Sequence, residues 1–235
     1  MSERHGPMDH VLTAAFRRVK RRREAASSPH HVRRGDTVTL SGEEFSYIAA
    51  LQLQYAFLDF RHLLSLVSRA ATVNELSLLL RLYAVSWITL SDLAANVINA
   101  VFDLGYAERD VDLSAILRNG HIRDTQIPSI VKRHGPQVRF AYWADLRNNI
   151  VHRGRLLDDD FLALERVWID LALKASNDTQ GTDGSTSAVG VESNFAARLE
   201  EFKRKRIADL DEHLTATNQL LWEIGEVLVG ELEES

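Results

Sequence analysis

The chain has 235 residues, 45% of them hydrophobic and 26% charged, enough for one large domain with a buried core and too long for a stapled mini-protein. Only 12 Gly and 4 Pro argue against a many-stranded sandwich or barrel, and the absence of cysteine excludes disulfides, Cys-ligated zinc or iron–sulfur sites and thiol catalysis, which fits a reducing compartment. The net charge of −5 conceals a gradient: residues 1–35 hold nine Lys/Arg against three Asp/Glu, whereas residues 191–235 hold five against eleven.

Periodicity predicts an all-α chain. Residues 8–25 form a short amphipathic helix on Val11, Leu12, Ala15, Phe16 and Val19, carrying the basic run Arg17, Arg18, Lys20, Arg21, Arg22 and Arg23. That run either grips phosphates or is a solvated basic face that meets the acidic tail of this chain or another. Residues 1–39 thus read as a basic arm ending in a polar connector. A long helix then starts after Ser41, with Glu43 and Glu44 at its positive end and a stripe of Phe45, Ile48, Leu51, Tyr55, Leu58, His62, Leu66 and Arg69. A second, from about residue 74 to 104, is apolar on most sides, as a central bundle helix must be, and Gly105 is placed to close it. Thr89, Asp92, Asn96 and Asn99 draw a polar stripe along it that either lines a cleft or faces water. Those polar residues also argue against a membrane span over residues 82–102, and with no signal segment the expectation is a soluble, cytoplasmic protein.

Shorter helices follow: one capped by Asp112 and ending near Asn119-Gly120, one opened by Pro128, and one from residue 137 to about 151 closed by Gly154. Asp158, Asp159 and Asp160 then open a helix through Trp168 to Lys174, and capping accounts for the three acids more economically than a metal site does. Residues 40–175 therefore read as one helical bundle. Residues 176–192, rich in Asn, Asp, Thr, Gly and Ser, read as a flexible linker. Residues 193–235 read as a long helix with a heptad seam of Ile207, Leu210, Leu214, Thr217, Leu221, Ile224 and Leu228. A second protomer, the N-terminal helix and the bundle itself are all candidate partners for that seam.

Gly-rich phosphate loops, G-x-S-x-G elbows and metalloprotease His pairs are absent from the sequence. Most of the nine histidines are set aside: His5, His10, His30 and His31 lie in the polar N-terminal region, and His121, His134 and His213 lack a ligand-spaced partner. His152 differs, because Asp145-Leu-Arg-Asn-Asn-Ile-Val-His-Arg-Gly154 gathers Arg147, Asn148, Asn149, His152 and Arg153 at one helix end. Asn148 and His152 share a face, whereas Arg147 and His152 diverge by about 140° on an ideal helix, so a distorted last turn or a second chain must complete any joint site. An Arg can hold a phosphate through two parallel hydrogen bonds, and a His titrating near neutrality can move the proton of a ribose 2′-hydroxyl. The same residues also suit plain capping of the last helical carbonyls.

The segment Leu146-Arg-Asn-Asn-Ile-Val-His-Arg-Gly154 resembles the R-x4-6-H motif of the HEPN superfamily, with Asn148 as the polar residue that follows the Arg. The resemblance covers roughly residues 40–175 and includes the order of two long helices before the motif helix. It implies a metal-independent, cofactor-free endoribonuclease in which His152 acts in attack of a 2′-hydroxyl on its own 3′-phosphodiester, Arg147 holds the phosphate and Asn148 supports the pair. It further implies a homodimer with a composite cleft, tRNA or messenger RNA as substrate, and a toxin or anti-phage role that brings a regulatory or antitoxin partner. Some relatives are instead non-catalytic scaffolds or nucleotide-binding modules. In toxins neutralised by a nucleotidyltransferase the His is followed two residues later by Tyr, where this chain has Gly154. Arg153 and Arg155 stand as substrate-binding candidates that would offset an acidic body, and Asp92 and Asn96 as cleft-lining ones.

Overall fold

The structure is a computed structural model that describes residues 6, 8–25, 41–107, 110–134, 148, 150, 159–178 and 187–234. The expected all-α class is what it shows: among the described residues there are helices and turns and no strand. In chain order the helices are α1 (Asp9–Ala25), α2 (Gly42–Arg69), α3 (Val73–Val101), α4 (Leu113–Arg118), α5 (Gly120–Arg123), α6 (Ile127–His134), α7 (Asp159–Asp178) and α8 (Ser187–Glu234). Helix therefore occupies both flanks of the expected linker, through Asp178 and again from Ser187, and residues 179–186 between them lie outside the described residues.

Local chemistry sets the helix ends. Ser41 and Glu44 form a reciprocal cap: the Ser41 hydroxyl accepts from the Glu44 backbone N–H at 3.3 Å, and Glu44 Oε2 accepts from the Ser41 N–H at 3.0 Å. Thr72 and Glu75 open α3 similarly, with the Thr72 hydroxyl accepting from the Glu75 N–H at 3.1 Å. The end of α3 differs from expectation. Asp103, not Gly105, takes the left-handed position directly after the helix, at φ 49°, and the Leu104 N–H reaches back to the Asn99 carbonyl at 3.1 Å. Asp tolerates this region better than most residues, so the chain turns two residues before its glycine, which itself sits at φ 76°. Asp112 caps α4 as expected, its carboxylate accepting from the Ala115 N–H at 2.6 Å.

The chain packs as two compact units, and neither follows the sequential division into arm, bundle, linker and tail. One comprises Met1–Phe60, Ser86–Arg139 and Thr215–Ser235; the other comprises Arg61–Val85 and Phe140–Leu214. The long helices α2, α3 and α8 each contribute to both, because 28 or more residues extend over about 40 Å, longer than one small core needs.

In the first unit the core is built from Val11 and Ala15 of α1, Leu53 and Phe57 of α2, Leu90 and Ile98 of α3, Ile116, Ile122 and Ile130 of the short helices, and Leu221, Ile224 and Leu228 of α8. Gly6 fits here because a Cβ would fall on the amide of Gln54, which accepts from the Met8 N–H at 3.3 Å and donates to Asp9 at 3.1 Å. In the second unit the core is Val67, Leu76, Leu80, Tyr83, Phe161, Leu164, Phe202 and Leu210, with His213 fully buried among them.

Two expected apolar faces are corrected. The α2 stripe through Tyr55 and Leu58 is the outer one, at 60% and 43% exposure, and the buried stripe is Ala49, Leu53, Phe57 and Phe60. Both stripes have helical spacing, so the period alone does not choose between them. Phe16 of α1 is also exposed, at 53%. The α8 seam, in contrast, faces its own chain: Leu210, Thr217, Leu221, Ile224 and Leu228 are buried within a single molecule, and α1 meets α8 through His10, whose ring lies 5.0 Å from that of Trp222. Among the described residues α3 is long and apolar enough to cross a membrane by length and composition. Its Leu80, Tyr83, Trp87, Leu90 and Ile98 are buried in the core, whereas Leu78, Leu82 and Val85 are exposed.

Candidate functional site

Of the residues singled out from the sequence, Arg147, His152, Arg153 and Arg155 lie outside the described residues. Asn148 is helical and exposed, and Ile150 is helical and half-buried.

The polar stripe of α3 divides along its length. Thr89 and Asp92 are exposed, whereas Asn96 and Asn99 are buried. Asn99 has a structural duty: its side-chain amide donates to the Tyr106 carbonyl at 3.0 Å and accepts from the Tyr106 N–H at 3.2 Å, imitating a strand pair and fixing the chain after α3. Asn96 Oδ1 is buried with no hydrogen-bond partner among the described residues, a costly arrangement in a packed core. Asp92 and Asn96, one turn apart, therefore sit in different environments rather than on one continuous wet face.

Sequence reasoning missed the most heavily buried polar pair. In the second unit the Tyr83 hydroxyl lies 3.2 Å from the Leu210 carbonyl and 3.2 Å from His213 Nδ1, and both side chains are fully buried. A carbonyl only accepts, so the single Tyr83 proton goes to Leu210 and the His213 Nδ1–H donates to the phenol oxygen. Burial penalises the charged form of each ring: it pushes His213 down to about 3 and raises Tyr83 well above its ordinary range. His213 is thus a neutral joint and not a general base. Its signal in the sequence was its place three residues after Leu210 and four before Thr217, on the seam itself, where a histidine needs a polar neighbour.

Acids and bases elsewhere tie helices together. Asp160, in the first turn of α7, accepts from Lys205 Nζ at 2.6 Å and from Arg206 at 3.2 Å, and the Lys205 hydrogen bond is the main reason its carboxyl lies below the usual range. Arg206, itself buried, also reaches Asp209 at 3.1 Å and lies over the Phe202 ring at 5.3 Å. Asp160 therefore ties α7 to α8 by ion pairs, where the sequence suggested only capping. In the first unit Glu223 accepts from Gln219 at 2.8 Å and Arg133 at 2.8 Å and lies 3.1 Å from His134 Nε2; these partners, Gln219 foremost, lower its pKa. Among the described residues no group of three or more His, Asp or Glu is placed to hold a metal ion.

The basic run of α1 is displayed on the surface. Arg17, Lys20, Arg21 and Arg22 are exposed; Lys20 lies 3.9 Å from Glu24, and Arg22 is bonded to Glu43. That bond, after the backbone N–H at the start of α2, helps hold Glu43 below its ordinary pKa.

Compared with protein-family models, with curated proteins and with solved structures, the chain matches none of them.

Proposed function

We propose that the protein is a metal-independent endoribonuclease of the HEPN type, acting in the cytoplasm as a homodimer on tRNA or messenger RNA. The observation that carries this reading is the Arg147-x4-His152 segment, with Asn148 after the Arg, placed behind two long helices in an all-α chain. His152 takes the proton of a ribose 2′-hydroxyl, whose oxygen attacks the adjacent phosphorus. Arg147 stabilises the charge that develops on the phosphate, and the 5′-oxygen of the next nucleotide leaves, producing a 2′,3′-cyclic phosphate. Asn148, one turn before His152, orients the imidazole, and Arg153 and Arg155 draw the RNA backbone in. A toxin or anti-phage role, with a regulatory or antitoxin protein as partner, follows from the same resemblance. The deciding experiment is cleavage of RNA in excess chelator by the wild type but not by Arg147→Ala or His152→Ala.

A second reading, a scaffold that acts through partner binding, is favoured by apolar side chains at the surface of the second unit. Leu78, Leu82 and Val85 share one face of α3 and are exposed, as are Trp168, Ile169 and Leu173 of α7. Under that reading, loss of these side chains abolishes partner association while the Arg147 and His152 variants have no effect.

A further inference from the structure

The outer face of α1 has a composition that core packing does not explain. Met8, Val11 and Ala15 turn inward, and Leu12 and Val19 flank them. Opposite, Phe16 and Lys20 stand one turn apart, and Arg17 and Arg21 stand one turn apart beside them, so an exposed ring and three exposed cations fall in two adjoining rows. Phe16 leans on Tyr47 of α2, ring centroids 6.0 Å apart and tilted by 50°, which holds the ring up at the rim of the basic rows instead of letting it fold inward.

The intramolecular alternative is a basic face neutralised by the acidic end of the chain. Two acids of α8 in the first unit are engaged elsewhere: Glu223 is taken by Arg133 and His134, and Glu226 lies against His10 at 3.7 Å. Among the described residues, the carboxylates that meet the basic run are Glu24, on Lys20, and Glu43, on Arg22. Among the described residues Arg17 and Arg21 make no ion pair, and both are exposed. Two unneutralised guanidiniums and an ammonium beside an upright aromatic ring form the combination that binds single-stranded nucleic acid: cations follow the phosphates and the ring stacks on a base.

We infer that Phe16, Arg17, Lys20 and Arg21 form a docking platform for single-stranded RNA, separate from the Arg147–His152 segment. The identity of the polyanion as RNA rests on the ribonuclease reading; the platform itself rests on α1. Such a surface supplies the positive field that the acidic remainder of the chain lacks, and it makes binding depend on salt through this helix.

The test is fluorescence anisotropy with a labelled single-stranded RNA of roughly a dozen nucleotides, a span typical of one such platform. It uses the full chain carrying His152→Ala, so that the probe is not consumed, across a range of KCl concentrations, with circular dichroism confirming the fold of each variant. Arg17→Gln/Lys20→Gln/Arg21→Gln is expected to weaken binding at least about tenfold and to reduce the slope of log K against log salt by about 2, as loss of three phosphate contacts requires. Phe16→Ala is expected to weaken binding about tenfold and leave the slope unchanged, the signature of lost stacking. An unchanged slope in the triple variant overturns the platform. Polyglutamate displacing the RNA at equal charge, together with no effect of Phe16→Ala, also overturns it and assigns the face to an acidic protein. The two proposals fail separately: RNA binding through α1 without cleavage by the wild type sinks only the ribonuclease reading, and cleavage with α1-independent binding sinks only the platform.

Discussion

Two histidines mark two regions of this molecule that, under the proposed ribonuclease reading, use the same side chain for opposite purposes. His213 lies in the second unit, fully buried, its Nδ1–H spent on Tyr83 and its pKa pushed down to about 3. An imidazole so depressed keeps its one N–H and takes up no second proton at neutral pH, which suits a rigid joint and argues against a part in acid–base chemistry. His152 follows Arg147 and Asn148 in a segment crowded with polar and cationic residues, where an imidazole that titrates near neutrality is of use. The difference teaches that a histidine's role is set by what surrounds it: apolar seam residues make one a structural donor, whereas an Arg and an amide make the other a candidate catalyst.

Mutation can break the comparison directly. Arg147→Ala and His152→Ala are expected to lower RNA cleavage by at least about 100-fold while leaving thermal unfolding unchanged. His213→Ala is expected to do the reverse, costing about 2–4 kcal/mol in denaturant unfolding through the cavity and the orphaned phenol, with cleavage retained wherever the protein stays folded. Equal loss of activity in the two histidine variants, at matched folded fraction, would remove the distinction.

The pH dependence sharpens it. Because His213 falls from 6.5 to about 3 on folding, the unfolded chain binds a proton that the native chain refuses. Its contribution is complete above pH 6.5 and is lost as pH falls from there towards 3, a few kcal/mol in all. Glu223, Asp160 and Glu43, lowered by their partners, add a loss that begins only in the ordinary carboxylate range. Denaturant midpoints measured from pH 7 to 4 should therefore fall before the carboxylates titrate, and His213→Leu should flatten the upper part of that decline. A wild-type profile that stays flat down to the carboxylate range would refute the assignment.

Much of the fold was legible in the residues, and the failures have physical causes. Capping signals at Ser41, Asp112 and Pro128 placed helix starts because those side chains act on their own backbone. The seam of α8 was legible as a pattern, but its partner was a tertiary choice made by surfaces distant in sequence. The inward face of α2 was misread because two stripes share the helical period, and alanines carry less apolar weight in a pattern than the outward Tyr55 and Leu58. Tyr83 and His213, separated by 130 positions, could not be paired from spacing at all. Of the polar stripe on α3, the sequence showed the alignment and not the change of environment between Asp92 and Asn96.

Smaller effects probe the supporting structure. Tyr83→Phe removes the acceptor for the His213 Nδ1–H and is expected to cost about 1–3 kcal/mol; its coupling with His213→Leu in a double-mutant cycle should be positive and at least about 0.5 kcal/mol. Ser41→Ala should cost about 1 kcal/mol by opening the reciprocal cap of α2. Asp103→Gly, which relieves the left-handed backbone after α3, should stabilise by up to about 1 kcal/mol, read as a raised denaturant midpoint with an unchanged slope.

The most direct measurement of the central claim is incubation of the purified protein, beside His152→Ala, with total RNA and a defined tRNA in excess EDTA, followed by mapping of the fragment ends. The account predicts 2′,3′-cyclic phosphate ends made by the wild type alone. Intact RNA with both proteins, or the same fragments with both, would contradict it.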